Sequence, residues 1–186
     1  KYPFIGITGS NGKTTTKDLL CHVLSKKMNV MSTKGNFNST TGAPLSLLSF
    51  NINADIGIIE MGANHIGEIA NLTQLVRPDV GVITNIGPAH LEGFGSLEGV
   101  ARAKAELYRF LDPQGTVVIN ADEPYLQLWQ EDISAHTKIS FGMKHKADVS
   151  GRRIDLDLIN IVTPIGEIRV RLQALGQHAI YNALAA

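Results

Sequence analysis

Apolar runs of strand length alternate with amphipathic runs of helix length along most of the chain, and this alternation restricts the possible folds more than any other feature. The strand-like runs are Tyr2–Thr8, Asn29–Ser32, ADIGIIEMG with its strand ending at Glu60, Val80–Asn85, GTVVIN and TKISFG. The helix-like runs are Thr14–Lys27, Pro44–Phe50, Gly67–Val76 and Leu97–Leu111. Parallel strands need a crossover connection, which is usually a helix. The order therefore predicts an α/β fold in which helices flank a parallel sheet.

The pattern changes at about Lys146. The segment RRIDLDLINIVTPIGEIRVRLQ places apolar residues at nearly alternate positions on both sides of the turn signal Thr163–Gly166. Alternation of this kind is typical of a strand with one buried face. We therefore expect a small antiparallel β hairpin at the edge of the sheet, near the C-terminus, and not a further βαβ unit.

The composition argues against some classes of partner. Lys plus Arg and Asp plus Glu both number 17, so there is no basic excess of the kind that nucleic-acid-binding surfaces carry. No apolar run reaches the length that spans a membrane. The single cysteine, Cys21, is typical of a reducing compartment. We expect a cytoplasmic protein with no nucleic-acid partner and no membrane insertion.

The length and the two ends suggest how the chain is organised. The 186 residues are enough for one substantial domain. The chain opens at Lys1 without methionine and closes on YNALAA, which resembles part of a helix. We expect residues 1–186 to be one domain excised from a longer protein.

A phosphate-binding motif lies between the first predicted strand and the first predicted helix. Gly12-Lys13-Thr14 matches the end of the P-loop pattern, but the position five residues before Gly12 is Ile7 and not glycine. The loop is therefore a variant, with Gly9 inside it. The strand–loop–helix context makes the predicted fold a P-loop sheet, although a glycine-bearing turn of no special function is the alternative.

The expected roles in this loop follow from its position at a helix N-terminus. The backbone N–H groups of Ser10–Thr14 can point at phosphate oxygens. Lys13 would neutralise the charge of the β and γ phosphates, and the Thr14 hydroxyl would hold Mg²⁺.

Other polar residues follow predicted strands, whose carboxyl ends form the ligand-binding edge of a parallel sheet. Glu60 ends a buried strand, and we expect it to be a further oxygen ligand of Mg²⁺, with a solvated strand-end carboxylate as the alternative. His90 follows the strand that ends at Asn85. A lone loop histidine is more often a surface residue, and imidazole is a poor ligand for Mg²⁺. Lys104 by itself is typical of a solvated helix-face lysine.

Five ordered segments together resemble a known enzyme family. They are TGSNGKTTT, KGNFNSTTGAPLSLL, EMGANHIGEIA, ITNIGPAHLEGFGS and ARAKAELY. They resemble the central, ATP-binding domain of the Mur ligases, in which the P-loop has the same variant form. The similarity extends from Phe4 to the final LGQHAIYNALAA, which resembles the segment that closes this domain.

The resemblance implies an ATP-dependent amide ligase of peptidoglycan precursor synthesis, with ATP and Mg²⁺ as cofactors. EMGANHIGEI and AHLEGFGS are most similar to the family member that joins D-Ala-D-Ala to UDP-MurNAc-tripeptide through an acyl phosphate. Such an enzyme has an N-terminal UDP-binding domain and a C-terminal domain, both missing from this chain. We expect the isolated domain to be inactive.

The resemblance also implies residue roles. The implied ATP-binding residues are Gly9, Ser10, Asn11, Gly12, Lys13, Thr14, Thr15, Asn36, His178 and Asn182. The implied metal ligands are Thr14, Glu60, His90 and, if it is carboxylated by CO₂, Lys104. The implied catalytic residues are Lys13, His90 and Lys104. One position departs from the family, which often has Asn after the histidine where this chain has Ala179.

Two other interpretations remain open. The chain could belong to another Mur ligase or to a folylpolyglutamate synthase-like ligase. It could also be a P-loop module that binds or hydrolyses ATP without ligation. Lys104 discriminates between ligase and hydrolase, because a simple nucleotide hydrolase needs no carbamate at that position.

Overall fold

The computed structural model describes residues 2–35, 37–51, 53–174 and 176–186. Its strands are β1 (Phe4–Thr8), β2 (Val30–Ser32), β3 (Ile56–Glu60), β4 (Val80–Ile83), β5 (Thr116–Asn120), β6 (Thr137–Gly142), β7 (Val149–Arg153), β8 (Leu158–Thr163) and β9 (Gly166–Arg171). Its α-helices are α1 (Lys13–Leu24), α2 (Gly42–Leu48), α3 (Glu68–Val76), α4 (Leu91–Phe94), α5 (Leu97–Arg109), α6 (Gln130–Ile133) and α7 (Gln177–Ala185). A 3₁₀ turn, Leu126–Trp129, precedes α6.

One sheet contains these strands in the order β2-β3-β1-β4-β5-β6-β7-β8-β9. The strands from β2 to β7 pair in parallel, with Ile7 opposite both Glu60 of β3 and Val82 of β4. The carboxyl ends of β1, β3 and β4 therefore meet at one edge of the sheet. The predicted parallel α/β sheet is confirmed.

Helices cover both faces of the parallel sheet, and the sheet separates the core into two layers. One layer packs α3 and α5 on the sheet and contains Ile69, Leu107 and Trp129. The other packs α1 and α7 on the opposite face and contains Leu20 and Ile180. The apolar sides of these helices are buried in this way, which is why their sequences show helical periodicity.

The C-terminal part of the sheet is antiparallel, as predicted. β8 and β9 form a hairpin that closes at Thr163 and Gly166, and β8 also pairs antiparallel with β7. The segment expected to be one hairpin is thus the greater part of three strands, because the chain turns at residues 154–157, between the end of β7 at Arg153 and the start of β8 at Leu158. Among the residues described above, no helix is long and apolar enough to cross a membrane.

Candidate active site

The phosphate loop, residues 9–12, connects β1 to α1 at the carboxyl edge of the sheet. Gly9 has φ 141° and Gly12 has φ 81°, conformations that favour glycine. A Cβ at Gly9 would collide with Thr84 Oγ1, and a Cβ at Gly12 would collide with Asn182 Oδ1. Both glycines are therefore required by close packing as well as by backbone conformation.

The segment that follows β4, residues 84–87, holds the phosphate loop in place and is called here the β4 loop. Ser10 N donates to Asn85 O at 2.9 Å, and Gly87 N donates to Ser10 Oγ at 2.9 Å. Asn11 exchanges two hydrogen bonds with the Asn85 side chain, at 3.1 and 2.9 Å. Thr84 Oγ1 donates to Asn11 O at 2.6 Å. Because so many bonds tie the two loops together, the phosphate loop is held in one conformation.

Lys13 lies at the first position of α1 with its ammonium group turned toward the phosphate loop. Nζ donates to Gly9 O at 2.7 Å and to Ser10 O at 3.3 Å. Burial lowers the pKa of Lys13, and the charge of Glu60 opposes this shift. The cation therefore lies where phosphate oxygens would meet it.

Glu60 and Thr14 form a pair of oxygen donors beside the loop. Glu60 is only 2% exposed, and its carboxylate accepts from Thr14 Oγ1 at 2.8 Å and from Asn38 Nδ2 at 2.7 Å. The backbone is fixed as well, because Glu60 N donates to Thr33 Oγ1 at 3.0 Å. A hydroxyl and a carboxylate are the hard oxygen donors that Mg²⁺ prefers. The donor set fits that ion.

A cavity of 310 Å³, called here the small cavity, is lined in part by Gly9, Ser10, Lys13, His90 and Lys104, and also by Asn38, which donates to Glu60. His90 is exposed and adopts φ 52°, an uncommon conformation for a residue other than glycine. Among the described residues, no group of three or more His, Cys, Asp or Glu side chains could hold a metal ion. A site for the metal here would therefore depend on hydroxyl, phosphate or carbamate oxygens.

Lys104 is buried on α5, which contradicts its default interpretation as a solvated lysine. It is 2% exposed, and Nζ lies 5.4 Å from the centre of the Phe94 ring. Burial and, to a smaller extent, the charge of Lys13 lower the pKa of Lys104 to about 8, although the charges of Glu106 and Glu68 oppose the shift. About a tenth of the amine is therefore neutral at pH 7, far more than for an ordinary lysine.

A larger cavity of 750 Å³, called here the large cavity, lies on the other side of the phosphate loop. It is lined by Asn11, Gly12, Thr15, Asn85, Asn120, Asp122, Pro124, Lys144, Gln177, His178, Tyr181 and Asn182. Helix α7 thus brings His178 and Asn182, two of the implied nucleotide ligands, to the cavity beside the loop. Asn36, another implied nucleotide ligand, lies outside the described residues.

Asp122 organises the large cavity and was not identified in the sequence. Its carboxylate accepts from the backbone N–H groups of Met143, Lys144 and His145 at 2.6–3.2 Å and from Tyr181 Oη at 2.8 Å. These bonds hold the pKa of Asp122 far below its usual range, although burial opposes them. The sequence does offer one signal for Asp122: it lies just after the strand-like GTVVIN, which places it at the same carboxyl edge of the sheet as Glu60.

The sequence and the fold of the chain both match proteins of one known family. The family model for the Mur ligase middle domain matches residues 7–186. UDP-N-acetylmuramoyl-tripeptide–D-alanyl-D-alanine ligase from Haemophilus influenzae is 43% identical over 98% of this chain and 41% of its own length. MurF from Acinetobacter baumannii superposes with a TM-score of 0.93 at 38% identity, covering 99% of this chain and 41% of that one.

A third similar structure is the MurF ligase from Thermotoga maritima in complex with ADP. Its TM-score is 0.89 at 31% identity, and the match covers 100% of this chain and 44% of that one. The chain thus spans less than half the length of each of these three proteins. The fold, the variant phosphate loop and the matched family model agree, and the chain belongs to the Mur ligase family, as a representative of its middle domain.

Proposed function

We propose that this chain is the ATP-binding domain of a ligase that joins D-Ala-D-Ala to UDP-MurNAc-tripeptide in peptidoglycan precursor synthesis. The observation that carries the proposal is the small cavity, which is lined by the phosphate loop, by the buried Lys104 and by Asn38, the hydrogen-bond partner of Glu60. The names of the relatives support the choice of substrates. The ADP complex of the Thermotoga maritima relative supports the nucleotide.

Ligation through an acyl phosphate consists of two transfers. A carboxylate oxygen of the tripeptide attacks the γ-phosphorus of ATP, and the bond to the bridging oxygen breaks as ADP leaves. The amine of D-Ala-D-Ala then attacks the acyl carbon, inorganic phosphate leaves, and the amine loses a proton to give the amide. Negative charge gathers on phosphoryl oxygens during the first transfer, so a site for it needs N–H donors and cations.

The phosphate loop supplies those groups. The N–H groups at the start of α1 would bind phosphate oxygens, since they have no partner within the first helical turn. Lys13 would place its ammonium against the transferring phosphoryl group. The bonds of Lys13 to Gly9 and Ser10 hold that cation at the wall of the small cavity.

We propose that Thr14 and Glu60 hold one Mg²⁺ and that His90 and carboxylated Lys104 contribute to a second. Bound Mg²⁺ supplies positive charge that screens the phosphate oxygens. The oxygen pair of Thr14 and Glu60 supports the first assignment. For the second, His90 and Lys104 line the same cavity, but imidazole alone is a poor Mg²⁺ ligand.

Carboxylation would make Lys104 an oxygen donor. The ammonium group first loses a proton; the neutral amine then attacks the carbon of CO₂, a nitrogen–carbon bond forms as one C=O electron pair moves to oxygen, and the nitrogen releases a second proton, so that overall a cation becomes an anion. A pKa of about 8 favours this reaction by supplying neutral amine. Arginine at this position could not react in the same way.

We also propose that the remaining substrate contacts come from a UDP-binding domain before this one and a further domain after it. The relatives are more than twice as long as the matched segment, which supports this arrangement. The isolated chain would then bind nucleotide without ligating.

The test is a ligation assay on the whole protein that contains this chain, supplied with ATP, Mg²⁺ and UDP-MurNAc-tripeptide. Amide product is measured by mass spectrometry and ADP by a coupled assay, with D-Ala-D-Ala compared against single amino acids. We expect equal amounts of amide and ADP, with D-Ala-D-Ala only. Release of ADP without amide would indicate a nucleotide hydrolase, and amide from single amino acids would indicate a different ligase.

Variants in the same assay test the named residues. Lys13→Ala should reduce the rate by about a hundredfold or more, because it removes charge stabilisation from the phosphoryl transfer. Lys27→Ala, at an exposed lysine just beyond α1, is the matched control and should keep the wild-type rate.

Lys104→Arg should lose most activity in the same assay, because a guanidinium group cannot form the carbamate. A fully active Lys104→Arg protein would exclude the carbamate.

A further inference from the structure

Glu123 is a buried carboxylic acid that the proposed chemistry does not use. It is 7% exposed, and Oε2 accepts a hydrogen bond from Ile86 N at 2.9 Å. Within the described part of the chain, its other oxygen, Oε1, is buried and has no hydrogen-bond partner. Burial raises the pKa of Glu123, and the nearby backbone N–H groups of Ile86 and Tyr125 oppose this shift. A buried carboxyl with an unsatisfied oxygen costs free energy, so its position requires an explanation.

Glu123 holds Ile86, which lies in the middle of the β4 loop. Ile86 lies between Asn85, whose carbonyl accepts from Ser10 N, and Gly87, whose N–H donates to Ser10 Oγ. Ser10 Oγ also donates to Gly87 O at 3.0 Å. Glu123 therefore lies two hydrogen-bonded steps from the phosphate loop, and the Ile86 amide connects them.

The neighbours of Glu123 in the chain face the nucleotide site from a different side. Asn120, Asp122 and Pro124 line the large cavity. Asn120 Nδ2 also donates to Thr84 O at 3.3 Å, so the last residue of β5 and the segment after it each contact the β4 loop. A single short segment thus touches both the large cavity and the support of the phosphate loop.

We propose that Glu123 is a positioning residue that couples the segment after β5, at the large cavity, to the phosphate loop. By fixing the Ile86 amide it fixes the two flanking residues that bond Ser10, so that the two parts of the nucleotide site keep one relative arrangement. The inference rests on the proposed function only for the identity of the ligand as ATP.

Amide hydrogen exchange on the chain without nucleotide tests the coupling. Glu123→Met removes the acceptor and suits a buried site, whereas Glu123→Gln keeps an acceptor oxygen for Ile86 N. The Ile86 amide must exchange faster in Glu123→Met whatever the role, so the decisive amides are Ser10 and Gly87. We expect both to exchange at least tenfold faster in Glu123→Met and within about twofold of wild type in Glu123→Gln.

A matched control and a ligand measurement complete the test. Asp79→Asn alters another carboxylate that accepts a backbone N–H, from Phe4 at 2.8 Å near the start of β1, and should leave Ser10 and Gly87 unchanged. Affinity for Mg²⁺-ADP should fall at least fivefold in Glu123→Met and stay within twofold in Glu123→Gln.

Two results would overturn the inference. One is wild-type exchange at Ser10 and Gly87 in a folded Glu123→Met protein, and the other is failure of both variants to fold, which would indicate a purely structural role. Exchange is measured without substrates, so the expected exchange in this chain, together with no ligation by the whole protein that contains it, would contradict the proposed function alone.

Discussion

At the scale of single residues, Lys104 shows that the same burial can prepare a reactive group and reduce stability. A lysine whose pKa falls to about 8 in the folded protein binds its proton less tightly than in the unfolded chain. At pH 7 this difference costs about 3 kcal/mol of stability. The cost declines as pH rises from about 8 towards 10.5, because in this interval the folded lysine has released its proton while the unfolded lysine still holds one, so that stability rises with pH.

Lys104→Met should therefore stabilise the protein at neutral pH while removing its reactive amine. We expect the free energy of unfolding at pH 7, from urea titrations, to rise by about 1–3 kcal/mol, since the stem stays packed and the desolvated cation is gone. At pH 10 the gain should fall below about 1 kcal/mol. Lys27→Met, at an exposed lysine, should show no gain at either pH. Destabilisation at pH 7 would show that the ammonium is well compensated.

At the scale of elements, the N-terminus of α1 packs closely against α7 at Gly12. Its φ of 81° already disfavours other residues, and the Asn182 side chain of α7 occupies the space that a Cβ would need. Asn182 is buried, 4% exposed, so it cannot simply turn into solvent. The strand–loop–helix motif therefore depends on a helix from the far end of the chain.

Gly12→Ala should be more destabilising than its backbone conformation alone explains. Gly95 has a similar φ of 75° but open space where its Cβ would lie, so Gly95→Ala measures the backbone cost, about 1–2 kcal/mol. We expect Gly12→Ala to cost about 1–3 kcal/mol more, from overpacking against α7. Adding Asn182→Ala should recover most of that difference. If urea titrations show that Gly12→Ala and Gly95→Ala lower the free energy of unfolding equally, the Asn182 side chain of α7 moves aside without cost.

At the scale of the whole molecule, Asp122 ties together three parts of the chain that are distant in sequence. Its carboxylate connects the segment after β5 to residues 143–145, between β6 and β7, and to Tyr181 of α7. The lowered pKa of Asp122 means that its stabilising effect is complete above about pH 4, the ordinary range of an aspartate, and is lost as pH falls below it.

Asp122→Asn should loosen this junction in a pH-dependent way. We expect it to lower the free energy of unfolding by about 2 kcal/mol at pH 7, because N–H donors lose a charged acceptor, and Tyr181→Phe to lower it by about 1 kcal/mol. The effect of Asp122→Asn should shrink below pH 4. Asp55→Asn, at a carboxylate that accepts from Asn29 N at 2.7 Å, should cost less. A constant difference from pH 7 to pH 3 would contradict the assignment.

Much of the architecture could be predicted because it follows from local patterns. Helical periodicity and apolar strand runs located most of the long elements, and the rule for strand ends located Glu60 and His90 at the correct edge. The segments 91–94 and 126–133 were missed, since they are too short to show a period. Asp122 and Glu123 were missed because a polar pair after a strand is common and its contacts lie elsewhere in the chain.

The sequence by itself determined the parallel sheet, the variant phosphate loop, the C-terminal hairpin and the family, since each depends on spacing within a short window. The tertiary structure alone decided the burial of Lys104, the meeting of Gly12 with Asn182, and the bonds of Asp122 and Glu123. The physical reason is that a pKa, a steric contact or a hydrogen bond depends on residues that only folding brings together. Desolvation in particular is a property of the packed surroundings of a side chain, which its neighbours in sequence do not specify.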